Sequence, residues 1–325
     1  MIDLTAGADD DGRRLDRILR KALPELPLSM IHRLLRKGRV LVAGKPAWGR
    51  RRIRQGDAIH ITGAASPGAR ATIEEAEAPL PPSWILAEFE DILIINKPAG
   101  LAVHGAGSLD GRVGAYLRGK RPPSLSFKPG PLHRLDKPAS GIIVFSKTLE
   151  GARLFSALMR QRRLRKIYLA LAEGHIAQRE CWEDLLIRDR KAGKTFASPE
   201  PGARLGLTSV FPLVSTAGAS AAAYTLVKLE IHTGRTHQIR AQAALRGHPL
   251  AGDRKYGGSP FPQGPFLHAR SLEFPPDLAG GRRITAPLPA AFRRQIALLF
   301  RGSAALREAA ERAPSQCAPR QNALY

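Results

Sequence analysis

From Gly63 to Ser83 the chain turns to Ala, Gly, Pro, Ser and Glu and closes on Pro79, Pro81 and Pro82. Proline fixes φ and gives up its N–H, and the other residues offer little apolar surface to bury, so neither a helix nor a buried strand is expected through this stretch. A chain of 325 residues interrupted there folds as two bodies rather than one. The sequence predicts a small module over 1–63, a semi-rigid linker over 64–83, a larger domain over 84–301 and an unstructured tail over 302–325, where little apolar pattern persists after Leu306.

Charge is divided unequally between these bodies. The chain carries 51 Lys and Arg against 28 Asp and Glu, a formal net charge of +23, and with 43% apolar residues it is an ordinary globular sequence, so the excess must sit on folded surface. Between Arg13 and Arg54 stand fourteen basic residues opposed only by Asp16 and Glu25. Arg-rich coding raises charge throughout a chain; a local cluster of this density points to a polyanionic partner. Cys181 and Cys317 are too far apart for a C-x-x-C motif and fit a reducing compartment. The N-terminal residues lack the basic and apolar parts of a secretion signal, and no apolar stretch approaches the ~18 residues of a membrane span. The expected location is the cytoplasm, with no membrane partner.

Within the first module Leu15, Ile18, Leu19 and Ala22 recur at helical spacing, as do Ile31, Leu34 and Leu35 after a predicted N-cap at Ser29. Gly38-Arg39-Val40-Leu41-Val42 reads as a strand, Ala43-Gly44-Lys45 as a tight turn and residues 57–61 as a further strand. The run Arg14-Leu15-Asp16-Arg17-Ile18-Leu19, followed by Ile31-His32-Arg33-Leu34-Leu35-Arg36-Lys37-Gly38-Arg39-Val40-Leu41-Val42-Ala43-Gly44-Lys45-Pro46, resembles the S4 RNA-binding domain over about Gly12 to Ile61. It has Ala43-Gly44 where Asn-Gly is usual. The resemblance implies a small α/β body that binds RNA, with Arg33, Arg36, Lys37 and Arg39 as candidate contacts.

The larger domain alternates short apolar strands with helices. Residues 91–98 end in Lys97-Pro98; 141–145, 167–172 and 224–231 are further strands, and in the last Thr225, Val227, Leu229 and Ile231 share a face. Thr148 is a predicted N-cap before Leu154, Phe155 and Leu158, and a helix over 236–246 ends at Gly247, a natural C′ residue. The fold class is therefore α+β, a mixed α/β arrangement.

Two polar loops at strand ends stand out, the usual place for function. In His133-Arg134-Leu135-Asp136-Lys137-Pro138-Ala139-Ser140-Gly141 a carboxylate sits between two cations, an arrangement suited to a nucleophile or charge stabiliser rather than a proton donor, or to a plain ion pair or turn cap. In Thr233-Gly234-Arg235-Thr236-His237-Gln238-Ile239-Arg240 the arginine lies near a helix start, where its guanidinium can bind phosphate or carboxylate, or simply face solvent.

Taken in order, Ile94 to His104, His133 to Lys147, Arg165-Lys166-Ile167-Tyr168-Leu169-Ala170, Thr233 to Arg240 and His248-Pro249-Leu250-Ala251-Gly252-Asp253-Arg254-Lys255-Tyr256-Gly257 resemble the RluA-type pseudouridine synthases, which isomerise uridines in ribosomal and some transfer RNAs. Ala139 and Gln242 depart from the family's usual Thr and His. A preceding S4 domain is the arrangement of the branch that modifies large-subunit ribosomal RNA. The resemblance implies a catalytic domain with a mixed, largely antiparallel sheet and a central cleft, working as a monomer on that RNA or its assembly precursor. Asp136 is then the essential residue, attacking C6 of uracil or C1′ of ribose or assisting glycal formation. Tyr168 would stack on uracil and take part in proton transfer, and Arg240 would pair with Asp136 and hold the nucleotide out of the stack. His133 and Arg134 would shape the loop and contact phosphate.

Isomerisation exchanges no electrons, so neither cofactor nor metal is expected, and the sequence offers no H-E-x-x-H. Gly105-Ala106-Gly107 has Asp110 where a dinucleotide fingerprint needs Gly, and Gly193-Lys194-Thr195 has Arg188 where a P-loop needs Gly. A non-catalytic RNA-binding protein would account for the charge but not for the ordered motifs. A glycosidase would require a second, well-placed carboxylate.

Overall fold

The computed structural model describes residues 1–64, 78–120, 124–216, 223–277 and 281–300. Most of the stretch expected as a linker, 65–77, and the tail expected over 302–325 lie outside the described residues.

The N-terminal body runs β1 (Ile2–Thr5), α1 (Leu15–Ala22), α2 (Leu28–Arg36), β2 (Val40–Val42), β3 (Lys45–Pro46) and β4 (Ala58–Ile61), with sheet order β1-β4-β2-β3 among the described residues. Leu15, Ile18, Leu19, Ile31, Leu34 and Leu35 bury one stripe of each helix against Val40, Val42, Ile59 and Ile61. The predicted cap at Ser29 is corrected: α2 starts at Leu28 behind Pro27, whose φ of −55° and ψ of 144° set the entry and whose carbonyl accepts from the Met30 and Ile31 N–H groups. Ser29 is thereby inside the first turn. In the β2–β3 turn both Ala43 (φ 50°) and Gly44 (φ 76°) are left-handed, so alanine occupies the position that asparagine tolerates more readily.

This body meets the remainder through a buried carboxylate. Asp10 accepts from its own loop at Gly7 N (2.9 Å) and, across the junction, from Leu125 N (2.9 Å), Ser124 Oγ (3.1 Å) and Ser126 Oγ. Asp9 accepts from Leu149 N, and Leu125 packs on the N-terminal core.

The second body contains β5 (Ile85–Glu88), β6 (Ile92–Lys97), α3 (Leu109–Leu117), β7 (Gly130–Pro131), β8 (Ser140–Ser146), α4 (Leu149–Arg160), β9 (Arg165–Glu173), β10 (Glu180–Asp189), β11 (Lys194–Ala197), β12 (Arg204–Ser215), β13 (Tyr224–Ile231), α5 (Gln238–Leu245), β14 (Leu267–Glu273), β15 (Arg283–Thr285) and α6 (Ala290–Leu299). Its strands form one sheet of eleven among the described residues, β11-β10-β12-β13-β9-β14-β8-β6-β5, with β7 on β8 and β15 on β14. Every pairing is antiparallel except β8 with β14. Thr148 caps α4 as expected, accepting from Gly151 N at 2.8 Å. The helix expected over 236–246 begins two residues late, because His237 at φ 54° cannot be its first turn. The fold class is the expected mixed, largely antiparallel α/β arrangement.

Burial opposes ionisation of Asp10, yet its four hydrogen bonds outweigh that and hold its pKa below 3.8. Its stabilisation is complete above the ordinary carboxylate range and is lost as pH falls through the lowered value. Asp10→Ala is expected to cost about 1–3 kcal/mol at pH 7, measured by urea unfolding, and the difference from the parent is expected to shrink under strongly acidic conditions.

Candidate active site

The sheet centre determines where the two polar loops meet. The loop carrying Asp136 leaves β7 and enters β8, whose first residues run parallel to β14, with Ser140 opposite His268 and Gly141 opposite Ala269. Gly141 has φ 108°, and a Cβ there would lie 2.3 Å from the Ala269 carbonyl oxygen, so glycine alone allows the strands to approach. Ala269 also pairs with Tyr168 on β9. Arg240 arrives from the other side, on the first turn of α5 after β13.

Several buried contacts fix the Asp136 loop. Lys97, fully buried at the end of β6, donates its ammonium to the carbonyls of Pro98 (2.9 Å), Leu101 (2.9 Å) and Lys137 (3.1 Å). Desolvation lowers its pKa to about 8, partly offset by the charge of Asp136. Ser140 and His268 Nδ1 are 2.9 Å apart, while His268 Nε2 faces the Ala286 carbonyl at 3.3 Å. The latter contact places the proton on Nε2, so Ser140 donates to Nδ1. Leu135 is buried in the main core and anchors the loop next to Asp136.

Asp136 and Arg240 face one another in an open cleft of about 490 Å³, also lined by Arg134, Leu135, Tyr168, Arg235 and His237. Arg240 Nη1 lies 3.1 Å from Asp136 Oδ2. Its other two nitrogens are engaged by Asp253, Nε with Oδ2 at 2.6 Å and Nη2 with Oδ1 at 2.7 Å. The side chains of Arg240 and Asp253 are 5% and 1% exposed. Such a fork leaves one edge of the guanidinium for Asp136 and fixes its direction. Desolvation works against the charged form, but Asp253 and Asp136 together raise the Arg240 pKa. Tyr256 packs beneath, with Arg240 Cζ 5.0 Å from its ring centroid. Tyr168 is buried on the cleft wall, and burial, reinforced by Asp136, raises its pKa, so its phenol keeps its proton and can donate one hydrogen bond.

The remaining expected site residues are placed differently. Arg134 is exposed on the cleft, with Arg235 half-buried beside it. The His133 ring is not among the cleft-lining residues: it stacks on Phe155 at 5.9 Å and its Nε2 accepts from Val144 N at 3.1 Å. Desolvation and the nearby Lys166 lower its pKa to about 4, which keeps it neutral. Arg33, Arg36, Lys37 and Arg39 are exposed on α2 and the turn after it, and none lines the cleft. Gln242, where the family resemblance favours His, is fully buried and satisfied by Thr208, the carbonyls of Trp182 and Gly206, and Asp184. Among the described residues no group of three or more His, Cys, Asp or Glu could hold a metal ion, and no helix is long and apolar enough to cross a membrane. Asp253, Lys97 and His237 lie within the quoted motifs but received no role from sequence reasoning. A charged residue beside an apolar run was the available signal, as in Lys97, two positions after Ile92–Ile95.

A family model described as RNA pseudouridylate synthase matches residues 91–245. The chain belongs to this family, as its similarity to curated relatives over nearly its whole length also shows. It is 33% identical over 318 residues to the ribosomal large subunit pseudouridine synthase C of Salmonella typhimurium, covering 90% of this chain and 94% of the relative. It is 32% identical over 313 residues to the protein of that name from Escherichia coli (strain K12), covering 88% and 93%. Human RNA pseudouridylate synthase domain containing 4 shares the fold at a TM-score of 0.54 and 22% identity, over 70% of this chain and 95% of that one.

Replacing the Asp253 carboxylate by an amide removes the charged fork and leaves the buried Arg240 with Asp136 as its only carboxylate. Asp253→Asn is therefore expected to destabilise the protein by about 3 kcal/mol in thermal unfolding, and to slow single-turnover isomerisation by roughly 100-fold as Arg240 loses its direction, with RNA affinity unchanged.

Proposed function

We propose that this protein isomerises specific uridines of large-subunit ribosomal RNA, or of its assembly precursor, to pseudouridine. The observation that carries the reading is the Asp136 carboxylate aligned on a buried arginine at a cleft wall shared with a tyrosine. The names of the curated relatives supply the RNA class. Neither the base nor its sugar carbon is accessible inside a stacked helix, so the target uridine enters flipped out. Asp136 then drives cleavage of the N1–C1′ bond, by nucleophilic attack or by stabilising charge at C1′. The uracil turns, C5 bonds to C1′, the C5 proton is lost and N1 gains one, so atoms and electrons balance without a cofactor. Tyr168, its phenol kept protonated, stacks on the base and donates a hydrogen bond. Arg240 holds Asp136, and Arg134 at the rim meets phosphate while His133 supports the loop from behind.

The N-terminal body, taken as an S4-like RNA-binding domain over 1–63 joined by a linker over 64–83 to the catalytic domain over 84–301, positions the substrate. Its two helices, small sheet and exposed Arg33, Arg36, Lys37 and Arg39 support that role. The protein works as a cytoplasmic monomer.

Two measurements test this division of labour. Asp136→Asn is expected to abolish tritium release from RNA labelled at C5 of uridine while RNA binding persists, because the amide keeps the shape but not the charge; ordinary release by the variant would contradict the assignment. Replacing Arg33, Arg36, Lys37 and Arg39 together by Ala is expected to weaken binding and flatten its salt dependence by about 0.7–0.9 in slope for each phosphate that is no longer neutralised. Turnover at saturating RNA is expected to stay unchanged. An unaltered salt slope would remove this surface from the RNA interface.

A further inference from the structure

His237 caps α5 with a left-handed backbone and places its ring at the cleft, edge-on to Tyr256 at 5.6 Å between centroids. Two groups converge on its Nδ1: the Tyr256 hydroxyl at 2.8 Å and Arg188 Nη1, from the end of β10, at 3.1 Å. A guanidinium can only donate. The Tyr256 oxygen already accepts from Thr195 N–H at 2.7 Å, so its own proton is free to point at the histidine. Nδ1 is thus the unprotonated acceptor, its single lone pair shared between the two donors. Desolvation, with the charges of Arg240, Arg188 and Lys255 and against that of Asp136, lowers the ring's pKa to about 4, so at neutral pH it carries one proton, on Nε2. That nitrogen faces the cleft 3.8 Å from Asp136 Oδ2, beyond hydrogen-bonding distance.

We propose that His237 is a further catalytic residue: its Nε2–H, with the tautomer fixed by Arg188 and Tyr256, donates to a carbonyl oxygen of the uracil while the base is detached from the ribose. The inference rests on the isomerase reading above. Once N1–C1′ has broken with the electron pair leaving on the base, negative charge is shared between N1 and the two carbonyl oxygens, and the ring must turn without escaping. A fixed neutral donor beside Asp136 stabilises that charge and leaves the carboxylate unprotonated, since an N–H of this kind is a poor acid. Arg188 and Tyr256 are positioning residues, and Thr195 holds Tyr256.

The test begins without RNA, on the full-length protein with nitrogen-15-labelled histidine. Long-range nitrogen–proton spectra are expected to show His237 neutral and protonated on Nε2 between pH 6 and 8, and as a mixture of tautomers in Arg188→Ala, which leaves only the Tyr256 hydroxyl, able to donate or accept, on Nδ1. A parent ring protonated on Nδ1, or on both nitrogens, would overturn the proposal. With C5-tritiated RNA, His237→Ala is expected to lower the single-turnover rate by about 100-fold at unchanged RNA affinity. His237→Gln, which returns an N–H near the same place, is expected to recover part of that loss, and Tyr256→Phe to show a smaller one. Isomerisation by His237→Ala at the parent's rate would also overturn it. If the parent itself released no tritium, the isomerase reading would fall, whereas the spectra report the tautomer independently of turnover.

Discussion

Arg240 is buried between two carboxylates, and the geometry of the cleft follows from how it divides its nitrogens between them. Asp253 takes two in a fork and Asp136 takes the third at 3.1 Å. With its direction set by a fully buried partner, the guanidinium turns a flexible side chain into a fixed positive edge. Asp136, on a loop, gains a fixed position from a helix. A buried charge pair contributes little to stability once desolvation is counted, so this arrangement is better understood as positional than as stabilising.

The loop is held with equal care from the sheet side. Gly141 lets β8 and β14 come together where a Cβ would meet backbone, Ser140 is tied to His268, and the buried Lys97 draws three carbonyls around itself, one of them that of Lys137 next to Asp136. The last two of these ties use a polar or charged group inside a largely apolar region. A side chain there has few alternative partners, which makes its direction definite.

Much of this was legible in the chain. The β13 face, the Thr148 cap and the two polar loops followed from period and residue type, because neighbours a few positions apart determine them. The pairings that were not legible join distant positions. Arg240 and Asp253 are 13 residues apart, separated by the rest of α5 and the segment that follows it, and no periodicity links a guanidinium on α5 to a carboxylate beyond that helix. The left-handed His237 is equally opaque, since few non-glycine residues adopt that backbone, and its ring partners, Tyr256 and Arg188, come from elsewhere in the fold. Ser29 shows the converse: the residue type was right for a cap, but the proline two positions earlier set the helix entry.

On the proposed function, the excess charge and the cleft serve different ends of one reaction. Arg33, Arg36, Lys37 and Arg39 of the N-terminal body are exposed and stand outside the cleft, whereas Asp136, Arg240 and Asp253 are paired with one another at it. If the aligned Asp136 acts on uridines of the large ribosomal subunit, pseudouridine maps of large-subunit RNA from cells with the gene, without it, and with it restored will differ at one or a few positions, lost on deletion and regained on restoration; identical maps in all three would rule that assignment out.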